Sequence, residues 1–131
     1  MVGVERRPES VLALLRQLGP GSLILVDDAE ALREGPMAAV MTALVRQARD
    51  RGFGVIIAGQ NQDLGGGFSG WIHEARKGRQ GVVLSPQEPL AGDLFVGRIQ
   101  RTSLQARVTP GRAVLFDGTG DQTLIQVPKV S

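Results

Sequence analysis

The chain contains no cysteine and no tyrosine, and it has one histidine and one tryptophan among 131 residues. The lack of cysteine excludes a disulfide framework and every cysteine-based zinc site. No apolar run approaches the roughly 20 residues that a transmembrane helix needs, and the amino-terminal residues contain no signal-peptide core. We therefore expect a soluble protein, in keeping with a reducing compartment.

The charge and the length of the chain limit its possible partners and its number of domains. Its net charge is only +2, although arginines far outnumber the two lysines, Lys77 and Lys129. The electrostatic field of such a small net charge is too weak to bind nucleic acid by itself. With an apolar fraction of 42%, the chain is long enough for one domain with its own core, and we expect residues 1–131 to form a single domain.

The most informative stretch is a run of four large apolar residues, Leu23–Val26, that ends at two carboxylates, Asp27 and Asp28. A run without polar alternation predicts a strand that is buried on both faces, as in the parallel sheet of an α/β domain. The carboxyl end of such a strand is where open α/β sheets bind ligands. Two adjacent acids there can hold a hydrated Mg²⁺ and orient a water, which nucleotide hydrolysis requires. The alternative is an acid that only caps the following turn.

A strand, a helix and a second strand are predicted in succession around this site. The apolar stripe of Pro36–Arg51 predicts an amphipathic helix capped by Gly52, and Val55–Ala58 predicts a second buried strand. Because this order forms a βαβ unit, the Asp27–Asp28 tip and the polar residues that begin at Gln60 should be neighbours at one sheet edge. That adjacency favours a functional site.

The remaining segments offer weaker functional candidates. Helices are expected over 8–18 and 69–79, a strand at Val82–Leu84, and a hairpin formed by 113–116 and 123–127. Trp71 is expected in the core, with an exposed anchor formed with Phe68 as the alternative. His73 has too few neighbouring ligands for a metal site. The basic residues of 76–79 are expected on a solvated helix face, with a trans-acting arginine as the alternative.

The order and spacing of these segments resemble the second half of an FtsK/SpoIIIE-type motor ATPase domain. The resemblance spans about residues 22–127, and beyond the two strands and their helix it is carried by Gly59-Gln60, Gly70-Trp71-Ile72, Val82–Leu84 and Pro110-Gly111-Arg112-Ala113. Within that family the chain is most similar to the degenerate C-terminal ATPase modules of EccC proteins from type VII secretion systems. The implied fold is α/β: a RecA-like parallel sheet of the ASCE P-loop NTPase kind that lacks its Walker A strand and ends in a C-terminal β-hairpin.

The resemblance implies roles for three residues. Asp27 takes the Walker B position that associates with Mg²⁺, so it is the expected metal and cofactor ligand. Asp28 takes the place of the catalytic glutamate, and Gln60 takes the place of a glutamine that senses the γ-phosphate. Asp28 and Gln60 are therefore the expected catalytic residues, and ATP and Mg²⁺ are the implied cofactors.

Several departures from the family pattern limit what the chain can do alone. Asp28 is one methylene shorter than the usual glutamate, and Asn61-Gln62 replace an Arg-Pro pair. The sequence also contains no Gly-x-x-x-x-Gly-Lys-Ser/Thr, so backbone amides and a lysine that would cradle the phosphates are missing. We expect a part of a longer ATPase domain that is inactive alone, its phosphate loop supplied by the remainder of the polypeptide. A sheet closed in another way is the alternative.

The resemblance implies a function in an assembly. We expect the cytoplasmic part of a membrane-associated machine, a homo-oligomeric ring that couples ATP hydrolysis to protein export, or else a degenerate module that docks its secreted substrate. A DNA-translocating motor of the same superfamily is the second hypothesis. The third is a non-enzymatic, receiver-like domain, which needs a lysine that neither Lys77 nor Lys129 is placed to supply.

Overall fold

The computed structural model describes residues 7–65, 67, 69–95 and 97–130. The chain divides into two compact units, of which the first ends at Ala75 and the second begins at Arg76. In chain order the elements are α1 (Pro8–Gln17), β1 (Leu23–Val26), a 3₁₀ turn (Ala29–Leu32), α2 (Pro36–Arg51), β2 (Gly54–Ile57), α3 (Asn61–Gly65), α4 (Trp71–Arg76), β3 (Gln80–Leu84), 3₁₀ segments (Pro89–Phe95 and Arg101–Ser103), β4 (Arg112–Asp117) and β5 (Gln122–Gln126).

Helix α2 is the longest element, and its sequence explains both of its ends. Pro36 occupies the first turn, where its missing N–H costs nothing. The apolar stripe buries one side of the helix, at Val40, Met41 and Leu44. Gly52 adopts a left-handed backbone with φ of 70°, and its N–H donates to the carbonyl of Ala48. The predicted helix and the predicted glycine cap are confirmed.

Helix α1 packs beside α2 and is held there by one guanidinium group. Arg51 Nη1 donates to the carbonyl of Leu15 at 2.5 Å, and Arg51 Nη2 donates to the carbonyl of Leu18, also at 2.5 Å. Both acceptors lie at the carboxyl end of α1, where carbonyl groups lack partners within a helix. Arg51 therefore caps one helix from the last turn of another.

The strands β1 and β2 form a parallel pair, with Leu23 opposite Gly54 and Val26 opposite Ile57. Helix α2 connects them and packs against β2, so the predicted strand, helix and strand are confirmed. The predicted burial on both faces is wrong. Leu23, Leu25 and Ile56 are 60%, 69% and 54% exposed, because none of the described residues covers that face. An apolar run shows that a strand is suited to burial but not which segment will cover it.

The second unit is an antiparallel sheet in the order β3-β4-β5. Its core lies on one face of the sheet and contains Val83, Ala91, Ile99, Val114 and Phe116. The ring of Phe95 lies with its centroid 5.1 Å from that of Phe116. A Cβ on Gly81 would lie 2.2 Å from the Phe95 ring, so a residue without a side chain is required where this ring crosses β3. The predicted C-terminal hairpin is confirmed as β4 and β5.

The structure therefore shows a mixed α/β chain with a parallel pair and an antiparallel three-stranded sheet. The β3 strand pairs antiparallel with β4, and the described residues do not place it in a sheet with β1 and β2. A short apolar strand has the same sequence pattern in a parallel and in an antiparallel sheet. The sequence of β3 therefore could not reveal that it pairs antiparallel with β4. In the described part of the chain, no helix has the length and apolarity needed to cross a membrane.

Candidate functional site

The carboxyl ends of β1 and β2 are joined by hydrogen bonds that continue beyond the two strands. The N–H of Ala58 donates to the carbonyl of Val26 at 2.8 Å, and the N–H of Ala29 donates to the carbonyl of Ala58 at 3.0 Å. Ala29 is fully buried at this junction. The residues that follow each strand are therefore neighbours at one sheet edge, as the sequence predicts.

Asp27 and Asp28 lie at this edge, and both are exposed. Asp28 has a left-handed backbone with φ of 48°, which a non-glycine residue adopts rarely and at some cost in energy. Its N–H donates to Oδ1 of Asp27 at 3.0 Å, so one carboxylate oxygen of Asp27 is held by the next residue. The hydrogen bond constrains the carboxylate of Asp27, and both acids are accessible to solvent at the sheet edge.

Gln60 lies on the adjacent tip and is also exposed. Its carbonyl accepts hydrogen bonds from the N–H groups of Asp63 and Leu64, at 3.1 and 2.9 Å, and so begins helix α3. The polar residues after Gln60 form this short helix, and Leu64 is buried beneath it. The structure thus brings Gln60 to the same edge as Asp27 and Asp28.

Glu30 is a residue at this edge that the sequence did not single out. A Cβ on Gly59 would lie 2.2 Å from Glu30 Oε2, so the carboxylate packs directly over the glycine. That oxygen is buried and accepts no hydrogen bond from the residues that the structure describes. An unsatisfied buried oxygen is costly and is expected where water, an ion or a ligand completes the site. The only sequence signal was an acid three residues after Asp27, which is equally typical of a helical turn.

The described residues do not form a complete metal centre. Among them, no three side chains of histidine, cysteine or acidic type come close enough to hold a metal ion. A single carboxylate such as that of Asp27 is still sufficient as a protein ligand for Mg²⁺. This ion commonly keeps several waters and binds one or two carboxylates together with substrate phosphates. The chain's contribution to such a site would be one carboxylate ligand and neighbouring polar groups.

Arg33 follows the 3₁₀ turn after β1 and contacts helix α3. Its guanidinium Nη2 donates to the carbonyl of Asp63 in helix α3. Close by is a cavity of about 270 Å³, lined by Arg33, Glu34, Gly67, Ser69, Gly70, Trp71 and Ile72. The indole of Trp71 is buried beneath it and donates through Nε1 to the carbonyl of Leu32 at 2.9 Å. Trp71 is therefore a core residue, as expected, whereas Phe68 lies outside the described residues.

The other predicted candidates are His73 and the basic residues of 76–79. His73 is half-buried on α4, and Lys77 and Arg79 are exposed on the turn that follows that helix. Arg76 Nε donates to the carbonyl of Leu94 at 3.4 Å, which gives this residue a contact within its own unit. Neither a histidine-based metal site nor a trans-acting arginine gains support from these positions.

Comparisons of the chain with protein-family models, with curated proteins and with solved structures found no match.

Proposed function

We propose that this chain is the Walker B-carrying part of an FtsK/SpoIIIE-type ATPase domain, most similar to the ATPase modules of EccC proteins in type VII secretion. The observation that supports the proposal best is the Ala29–Ala58 hydrogen bond, which brings Asp27 and Asp28 beside the Gln60 tip at the carboxyl edge of a parallel pair. Ligands of open α/β sheets bind at this edge.

Each of the three residues has a proposed role that its position supports. Asp27 would hold the hydrated Mg²⁺, which neutralises developing phosphate charge when it is bound. Asp28 would orient the attacking water, although its short side chain limits its reach. Gln60 would contact the terminal phosphate from the neighbouring tip. The hydrogen bond from the N–H of Asp28 holds Oδ1 of Asp27 and leaves its Oδ2 for a ligand.

The uncovered face of the β1–β2 pair supports completion of the domain by another segment. Parallel sheets are normally covered on both faces, yet Leu23, Leu25 and Ile56 are exposed. The chain also lacks the glycine-rich loop and lysine that bind phosphates. We propose that a segment carrying the phosphate loop covers this face and supplies the missing groups. The complete domain would act in a ring, as the cytoplasmic part of a membrane-associated machine that exports proteins.

A second candidate is a degenerate module that docks a secreted substrate without hydrolysing ATP. The missing phosphate loop and the shortened acid at Asp28 favour it. A DNA-translocating motor remains the alternative for the same fold, but no described feature favours DNA as the substrate.

Titration calorimetry with Mg-ATP distinguishes the first two candidates. The chain is titrated alone and after mixing with a segment that carries the phosphate-loop half of an EccC-type ATPase domain. Binding by the mixture but not by the chain alone supports a divided ATPase domain. Absence of binding by a mixture that is shown to be folded and associated rejects the nucleotide site and favours the docking module.

A further inference from the structure

Among the described residues, strand β5 lies at the edge of the antiparallel sheet, with β4 as its one neighbouring strand. The N–H of Val127 donates to the carbonyl of Gly111, and the N–H of Asp117 donates to the carbonyl of Asp121. Because hydrogen-bonded pairs alternate along an antiparallel ladder, the odd-numbered residues of β5 direct their backbone groups toward β4. The N–H and C=O groups that point outward therefore belong to Gln122, Leu124 and Gln126, and none of the described residues binds them.

This edge lacks the features that usually prevent strands from pairing. Soluble proteins protect edge strands with charges, proline, bulges or a covering segment. The five residues of β5 include no charge and no proline, and their register with β4 is continuous from Gln122 to Gln126. The side chain at the centre of the strand, Leu124, is 41% exposed. The edge is therefore suited to pairing with a further strand.

The sequence of β5 indicates which strand fits. It reads Gln-Thr-Leu-Ile-Gln, so glutamine stands at both ends and leucine at the centre whichever way the strand runs. A two-fold axis at Leu124 would place Leu124 opposite the partner's Leu124 and Gln122 opposite the partner's Gln126. All three positions have outward backbone groups, so each can form hydrogen bonds across the axis. A second copy of the chain is thus complementary in both register and residue type.

The charges that flank β5 favour the same antiparallel arrangement. Asp121 precedes the strand and Lys129 follows it. In an antiparallel pair about Leu124, each Asp121 would lie on the same end as the partner's Lys129, at a diagonal separation that long side chains can span. A parallel arrangement would instead place like charges together at both ends.

We propose that two copies of this chain associate through β5, in antiparallel orientation about Leu124, to form a continuous six-stranded sheet from two three-stranded ones. The interface is isologous, because each copy offers the same strand to the other. The pairing strand belongs to the second unit, and its pairing does not depend on a nucleotide site in the first.

Analytical ultracentrifugation of the full chain over a wide concentration range tests the proposal. A single pairing edge is a small interface, so we expect a reversible monomer–dimer equilibrium in the micromolar range or weaker. Leu124→Lys introduces a charge at the axis in both copies and should weaken the dimer at least about tenfold. Leu84→Lys is the matched control, because Leu84 is an exposed leucine on β3 at the opposite edge of the same sheet.

Disulfide trapping provides a second test that survives if the lysine variant fails to fold. The chain has no cysteine, so Leu124→Cys introduces a single thiol. Paired residues in an antiparallel ladder have Cα atoms about 5.5 Å apart, within the range of a disulfide. Mild oxidation at low protein concentration should give covalent dimers of this variant and not of Leu84→Cys. A monomeric wild type at all concentrations, equal effects of the two lysine variants, or equal trapping of the two cysteine variants would each overturn the proposal.

Discussion

The N–H of Ala29 donates to the carbonyl of Ala58, and together with the bond from the N–H of Ala58 to the carbonyl of Val26 it aligns the two strand ends that carry the candidate site. It continues the parallel ladder beyond β1 and β2, at a point where Ala29 has no contact with solvent. The acids after one strand and the glutamine after the other are therefore positioned by backbone geometry, and they do not depend on flexible loops for their proximity.

The buried oxygen Oε2 of Glu30 is expected to reduce stability. This oxygen lies against Gly59 and has no hydrogen-bond partner among the described residues, so Glu30→Ala should raise the free energy of unfolding by about 1 kcal/mol. Glu34→Ala, which changes an exposed acid nearby, should alter it by less than about 0.5 kcal/mol. Urea denaturation of the two variants checks this expectation. A destabilised Glu30→Ala variant would show that the carboxylate has a structural partner.

Arg51 should stabilise α1 through its geometry as well as its charge. The two nitrogens of the guanidinium reach the carbonyls of Leu15 and Leu18, and a lysine has only one nitrogen to offer. Arg51→Lys should therefore lower the free energy of unfolding by about 1 kcal/mol and increase amide exchange in α1. Arg49→Lys, at an exposed position in the same turn, should leave both nearly unchanged. Equal exchange of α1 in the two variants would contradict this role.

The exposed face of the parallel pair should matter for association and not for the stability of the chain alone. Leu25 is 69% exposed, so Leu25→Ala should change the free energy of unfolding by no more than about 0.5 kcal/mol. Leu44→Ala removes a buried side chain of α2 and should cost about 2–5 kcal/mol. In the mixture with the phosphate-loop segment, Leu25→Ala should weaken the complex. An unchanged affinity would show that the segment does not cover this face.

The turn between β4 and β5 predicts a pH effect at one carboxyl. The side-chain hydroxyl of Thr119 donates to Asp117 and is the main reason that the pKa of that carboxyl lies below its usual range. The backbone N–H of Thr119 also donates to Asp117 and lowers the pKa further. Because the folded pKa is the lower one, the contribution to stability is present above the unfolded pKa of about 3.9 and is lost as the pH falls through the folded value.

The variant Thr119→Ala separates the hydroxyl from the backbone contribution at this turn. It should raise the pKa of Asp117 toward its usual range without restoring it fully, since the backbone N–H of residue 119 remains. Carboxyl chemical shifts recorded across the acid range measure the change. An unaltered titration would show that the hydroxyl is not the main cause.

Much of the local structure was predictable because its signals lie within short segments. The stripe of Pro36–Arg51, the glycine that ends that helix, and the two strands beside it all follow from periodicity and capping. The adjacency of Asp28 and Gln60 followed from the order of strand, helix and strand. These features need no knowledge of distant contacts.

The features that were missed depend on contacts between distant residues. Leu25 was expected to be buried but is exposed. Its burial would require a segment that covers this face of the strands, and an apolar run does not identify such a segment. The contact of Glu30 with Gly59 depends on the correct folding of the 28 residues between them, and the missing side chain of a glycine gives no signal of what occupies the space. The pairing of β3 with β4 likewise depends on residues about 30 positions apart.

The most direct test of the proposed function is the dependence of ATP binding on Asp27. Calorimetry is performed on the chain mixed with the phosphate-loop segment, using the wild type, Asp27→Ala and the control Asp50→Ala, which changes an exposed acid at the end of α2. We expect Mg-ATP to bind the wild type and the control equally and Asp27→Ala at least about tenfold more weakly, with the difference abolished when Mg²⁺ is chelated. Equal binding of Mg-ATP by all three proteins would contradict the assignment of Asp27 as the magnesium ligand.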